Sequence, residues 1–168
     1  MRMATAALAI SALLSICSPA AAQTDCKTWK AAVSVAVQTD AFESIRGARM
    51  APQMYMSKLN VAGFPRCLVG VTDGALLMCF MMLPDESAGQ AAYASAVADM
   101  QACLKGWTPL ELGNQSGGPE RLAGRRLTRT FEGTKLQALV TLLGPAKRGS
   151  SNHVVSLAVG AIPQTPVS

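Results

Sequence analysis

The side chains with chemistry to offer in this chain are its cysteines, its single histidine, a cluster of methionines and a run of arginines. Beyond position 25 the cysteines are Cys26, Cys67, Cys79 and Cys103, separated by 41, 12 and 24 residues. Zinc sites draw about four nitrogen or sulfur ligands, usually from closely spaced pairs, and thiol oxidoreductases use Cys-x-x-Cys. Neither spacing occurs here. An even set of widely spaced cysteines in an exported chain signals two disulfides instead, and four cysteines allow three pairings.

Local register favours one of the three. In "RCLVGVTDGALLMCFMML", Arg66 to Leu83, two β-favourable runs flank Thr72-Asp73-Gly74, and Asp-Gly is a strong hairpin signal. A three-residue loop sets Val71 against Ala75, and counting outward sets Cys67 against Cys79. Opposed antiparallel residues hold their Cβ atoms about 4.5–5.5 Å apart, near what a disulfide needs. A two-residue turn would shift the register by one and leave the cysteines diagonal. The first register gives Cys67–Cys79 and, by elimination, Cys26–Cys103.

His153 stands at the start of a predicted strand. A small hydrolase using it as base would need a nucleophile that no motif marks, and a lone histidine at a loop–strand junction is more often a surface residue. Met50, Met54 and Met56 fall within "MAPQMYM". Soft thioethers select Cu(I), which makes a copper carrier the alternative reading. Methionine also fills irregular core gaps, the role expected of Met78, Met81, Met82 and Met100. Arg121, Arg125, Arg126 and Arg129 open a basic stretch that runs to Arg148 with Glu132 as its single acid. They offer a surface to an anionic ligand or an acidic partner, against the plainer role of charges that keep a sheet from aggregating. No glycine-rich phosphate loop precedes a helix, the acids form no paired constellation, and the sequence calls for no cofactor.

These residues must be positioned by a modest set of elements. A short helix is expected from Cys26, with Trp29, Val33 and Val37 at helical spacing. A strand ending near Gly47 is expected in "AFESIRGARM", another between Tyr55 and Val61, and then the cysteine hairpin. The clearest helix, capped by Asp85 or Ser87, ends at Lys105-Gly106, with Tyr93, Ala96, Val97, Met100, Cys103, Leu104 and Trp107 on one stripe. "TPLELGNQSGGPE" reads as a loop, and three strands follow, from Arg121, Lys135 and His153. No internal sequence repeat is visible. Strands, a helix, then strands predict one α+β domain, an antiparallel sheet covered by one long helix and a shorter N-terminal helix and tied by two disulfides.

The first residues set the compartment. Arg2, an apolar run from Ala4 to Cys17, Ser18-Pro19 and Ala20-Ala21-Ala22 have the order of a signal peptide cleaved after Ala22. The run is shorter than the ~20 residues a membrane-spanning helix needs, and one arginine rather than two points to the general secretory route. Ile16 before Cys17 is a poor fit to a lipoprotein cleavage site. Residues 1–22 are thus the expected signal and 23–168 the exported domain, long enough for a core of its own. The formal charge of +5 falls by one on losing Arg2. Few aromatics argue against nucleic acid as a partner, and no stable membrane insertion is expected after cleavage. The expectation is a small bacterial protein of the periplasm or exterior, a non-enzymatic binding or inhibitor-type protein with an envelope or secreted partner of acidic character.

Overall fold

Period-two alternation over the last third of the chain builds the widest part of the sheet. The structure, a computed structural model, describes residues 26–38, 40–71, 74–112, 121–145 and 151–162. The predicted signal segment 1–22 lies outside the described residues, as do Thr72 and Asp73 of the hairpin turn, 113–120 of the predicted loop, Lys147 and Arg148, and the tail from 163.

In chain order the elements are α1 (Cys26–Ala36), β1 (Arg46–Ala51), β2 (Met54–Ser57), β3 (Arg66–Gly70), β4 (Leu76–Leu83), α2 (Glu86–Cys103), β5 (Thr108–Glu111), β6 (Arg121–Phe131), β7 (Thr134–Leu143) and β8 (His153–Ala161). All strand pairs are antiparallel, in one eight-stranded sheet of order β1-β2-β3-β4-β8-β7-β6-β5. The protein is an α+β single domain with two disulfides, Cys26–Cys103 and Cys67–Cys79.

The order of strands discloses a repeat that the sequence hides. One helix followed by a four-stranded meander occurs twice, α1 with β1 to β4 and α2 with β5 to β8, and the halves meet where β4 pairs β8. The two meanders share topology without sharing residue patterns, since β6 and β7 run to 11 and 10 residues against four and five in β2 and β3.

Each strand sends alternate residues to opposite faces. On the covered face Leu77, Cys79, Val140, Leu142, Val155 and Leu157 are fully or almost fully buried, and α2 lies over them, with Gly89 close to Leu142 and His153. Cys67 and Cys79 are direct partners in the β3–β4 register, as the three-residue loop requires, so their bridge is a rung of the core. Asp85 caps α2 by accepting a hydrogen bond from the Ala88 amide at 2.8 Å. Thr28 of α1 accepts one from the Ala62 amide at 2.9 Å, which fastens the β2–β3 connection to that helix.

The opposite face carries Leu68, Met78, Phe80, Met82, Val154 and Leu139, and no described helix lies over it. Met82 is 71% exposed there and Met78 lies outside the core cluster, so neither is the core residue the sequence suggested, whereas Met81 packs against the core and Met100 is fully buried. Three further expectations change. Residues 108–111 are the edge strand β5 rather than loop. All four are exposed, which erases any alternation, and Pro109 is tolerated because an edge strand has a free side. Residues 43–45 form a 3-10 turn, and the first strand begins at Arg46 and runs through Gly47, its expected end, to Ala51. The strand expected from Tyr55 to Val61 stops at Ser57, whose hydroxyl and the Leu59 backbone bond to each other.

Gly160 of β8 sets how closely β4 approaches. A Cβ there would lie 2.7 Å from Leu76 Cδ1 and 2.9 Å from the Ala75 carbonyl oxygen. Backbone cannot yield as a side chain does, so Gly160→Ala is expected to cost about 1–3 kcal/mol. Urea unfolding checks this, and an unchanged midpoint would show that the strands part there freely.

Candidate ligand-binding cleft

The sequence-predicted site residues are dispersed over the molecule. His153 is 7% exposed and packs beneath Gly89 of α2, on the covered face opposite Leu83. It is a buried residue, not the surface one expected, and the alternating burial along β8 explains why. Its Nδ1 lies 2.9 Å from the Ser151 carbonyl oxygen, a backbone contact rather than a link to a hydroxyl nucleophile. The four cysteines are consumed in disulfides, so their thiolates hold no metal. Met54 and Met56 are half-buried neighbours on the uncovered face beside Gly70 and Leu68, and Met50 on β1 is 56% exposed. The Met78 methyl reaches over Gly70 into the same area.

The four arginines divide between the two faces. Arg125 and Arg129 register with the buried Val140 and Leu136 and share the helix side. Arg126 registers with Leu139, and Arg121 reaches back along Gly124 toward Thr141, so both lie on the other face. Arg125 forms an ion pair with Glu111, its partner across the β5–β6 ladder. Tyr93 of α2 stands near this pair. Its phenol is held above the ordinary tyrosine value, first by burial and second by the negative charge of Glu111, with Arg125 opposing.

That shift has a sign that can be tested. The folded protein retains the Tyr93 proton at a pH where the unfolded chain has released it. Its contribution is therefore constant below the ordinary value of about 10 and is lost as pH rises from there through the folded value. Stability of the wild type is expected to fall more steeply above pH ~10 than that of Tyr93→Phe. Denaturant midpoints on either side of that pH measure it, and parallel decline of the two proteins would contradict the assignment.

Arg129 leads to a concave site. A cleft of about 620 Å³ opens where α1, the end of α2 and the end of β6 converge. Helical spacing places Lys30, Val33 and Ser34 of α1 on one wall, with Val37 just past its end, and the Cys26–Cys103 bridge lies in the lining between the two helices. Leu104, Lys105 and Trp107 follow α2, and Arg129 and Phe131 close the sheet side. Trp107 and Phe131 are in ring contact with centroids 5.9 Å apart, and the Arg129 guanidinium sits 5.0 Å above the Phe131 ring centroid. A smaller hollow of about 180 Å³ shares Leu104, Lys105 and Trp107 with it and is also lined by Pro109 and Leu127.

No local sequence pattern marks most of this cleft. The core takes Trp29, Ala32 and Ala36 from α1, not Trp29, Val33 and Val37. Val33 is half-buried and Val37 is 46% exposed, because the apolar arc of α1 is wider than the sheet needs. The available signal was that excess: two valines and an alanine stripe on one short helix exceed a single buried face. The chain matches no protein-family model, no curated protein and no solved structure with which it was compared.

Proposed function

We propose that this protein works outside the cytoplasm, in the periplasm or exterior, as a non-enzymatic binding or inhibitor-type protein. The observation that carries the reading is the cleft, where apolar walls and cationic side chains converge while His153 lies elsewhere, beneath α2. Such a set suits recognising and holding a ligand. Two disulfides suit an oxidising compartment. The signal-like residues 1–22 support export by the general secretory route. No helix among the described residues is long and apolar enough to cross a membrane.

A panel separates this reading from the enzyme and copper readings. The full protein is melted in the presence of inorganic anions, amphipathic acids, acidic peptides and Cu(I), and assayed for turnover of ester and peptide substrates. A saturable rise in melting temperature with one anionic or peptide class, and no turnover above buffer, is the expected result. Turnover that His153→Ala abolishes would replace the reading with a hydrolase. Stabilisation by Cu(I) alone, lost on changing Met50, Met54 and Met56 to Leu, would replace it with a copper carrier.

A further inference from the structure

We propose that the cleft between α1, the end of α2 and the end of β6 binds a small amphipathic anion, an alkyl or aryl carboxylate. Its hydrocarbon lies against Val33, Val37, Leu104 and Phe131, and its carboxylate meets Arg129, Lys105 and Lys30. The inference rests on the reading as a binding protein and supplies the class of ligand.

Two properties of the cleft constrain its occupant together. The walls are dominated by aliphatic and aromatic side chains, and Val37 is among the most exposed large apolar residues of the described chain. Water against such a surface is better replaced by hydrocarbon. Among the described residues the lining also holds three cations and no carboxylate. An inorganic anion would answer the charges and leave the walls wet, while a neutral hydrocarbon would do the reverse. An amphipathic anion answers both.

The two helix-side arginines sharpen the contrast. Arg125 already has its counter-ion in Glu111, whereas Arg129 rests on the face of Phe131 within the cleft. A guanidinium stacked on a ring is oriented in advance, and its planar fork suits a carboxylate. Ser34, one turn along α1 from Lys30, adds a hydroxyl donor to the same wall. The volume of about 620 Å³ lies within the range of about 300–1,000 Å³ usual for small-molecule sites. The Cys26–Cys103 bridge fixes the spacing of the two helices that form the walls, so little ordering is left for binding to do.

Calorimetric titration of the full protein with decanoate, below its micelle threshold, tests this against 1-decanol and inorganic phosphate. Saturable binding of decanoate is expected, at least about tenfold tighter than decanol, because charge-assisted contacts add to the apolar ones. The triple variant Lys30→Gln, Lys105→Gln, Arg129→Gln should bring decanoate down to the level of decanol. Val37→Glu, at an exposed rim position, should weaken decanoate more than decanol. No heat with decanoate, or equal affinity for decanoate in the wild type and both variants, overturns the proposal. So does binding to phosphatidylglycerol vesicles with decanoate silent, which would assign the cations to a membrane surface. Silence toward decanoate while the panel finds another ligand class would sink the cleft assignment and leave the binding reading standing.

Discussion

Removing the Cys26–Cys103 bridge as a Cys26→Ala/Cys103→Ala pair is expected to cost about 4 kcal/mol. The bridge spans 77 positions of sequence, against 12 for Cys67–Cys79. In the chain-entropy account the stabilisation grows with the logarithm of the closed loop, which puts the shorter bridge near 3 kcal/mol. The shorter loop is nested within the longer, which trims the difference only slightly. Against a typical total of about 5–15 kcal/mol, loss of the long bridge brings the domain close to its threshold. Urea unfolding of the two double variants measures the order directly, and a larger loss from Cys67→Ala/Cys79→Ala would refute it. The bridge has a second consequence. It lines the cleft, so its loss should weaken decanoate binding even under conditions where the variant remains folded.

Leu157→Ala is the second large effect, at about 2–5 kcal/mol. Leu157 has no exposed surface and lies in the central strand β8, in register between Cys79 of β4 and Val140 of β7. Its neighbours belong to long ladders and one is cross-linked through Cys79, so the cavity cannot collapse easily. Met78→Ala, one residue away across the β4–β8 ladder but on the uncovered face, is expected to cost much less, about 1 kcal/mol. The pair tests which face holds the core. Equal losses, measured by denaturant midpoints, would mean that the uncovered face is as fully packed as the one beneath the helices.

Much of this architecture was legible. The cysteine hairpin could be read because Asp-Gly limits the turn and a one-residue slip would separate Cys67 from Cys79. The long helix could be read because Asp85 and Gly106 bracket a sustained stripe, of which Ala96, Met100 and Cys103 are buried. The strands from Arg121, Lys135 and His153 alternated clearly enough to be placed, and Leu127, Arg129 and Phe131 share a side as expected. Strand β5 was hidden because it is short, exposed and carries a proline. The doubled helix-and-meander topology was hidden because pairing between β4 and β8 joins segments 70 or more residues apart, which no local pattern encodes.

The cleft was harder still. Its residues come from positions 26–37, 102–107 and 129–131, and only the folded chain brings them together. The arginine run drew attention to the correct strand but treated four neighbours in sequence as one surface. Strand geometry sends Arg126 and Arg129 to opposite faces, and only Arg129 belongs to the cleft.

The most direct test of the central claim, an exported protein held in its binding form by two disulfides, is the intact mass and bridge map of the protein recovered from the periplasm or medium of a cell producing it from the whole chain. The expected protein begins at Gln23, has no free thiol, and yields proteolytic peptides joining Cys67 to Cys79 and Cys26 to Cys103. Protein retained in the cytoplasm with Met1 still attached and four alkylatable thiols at these positions would contradict it.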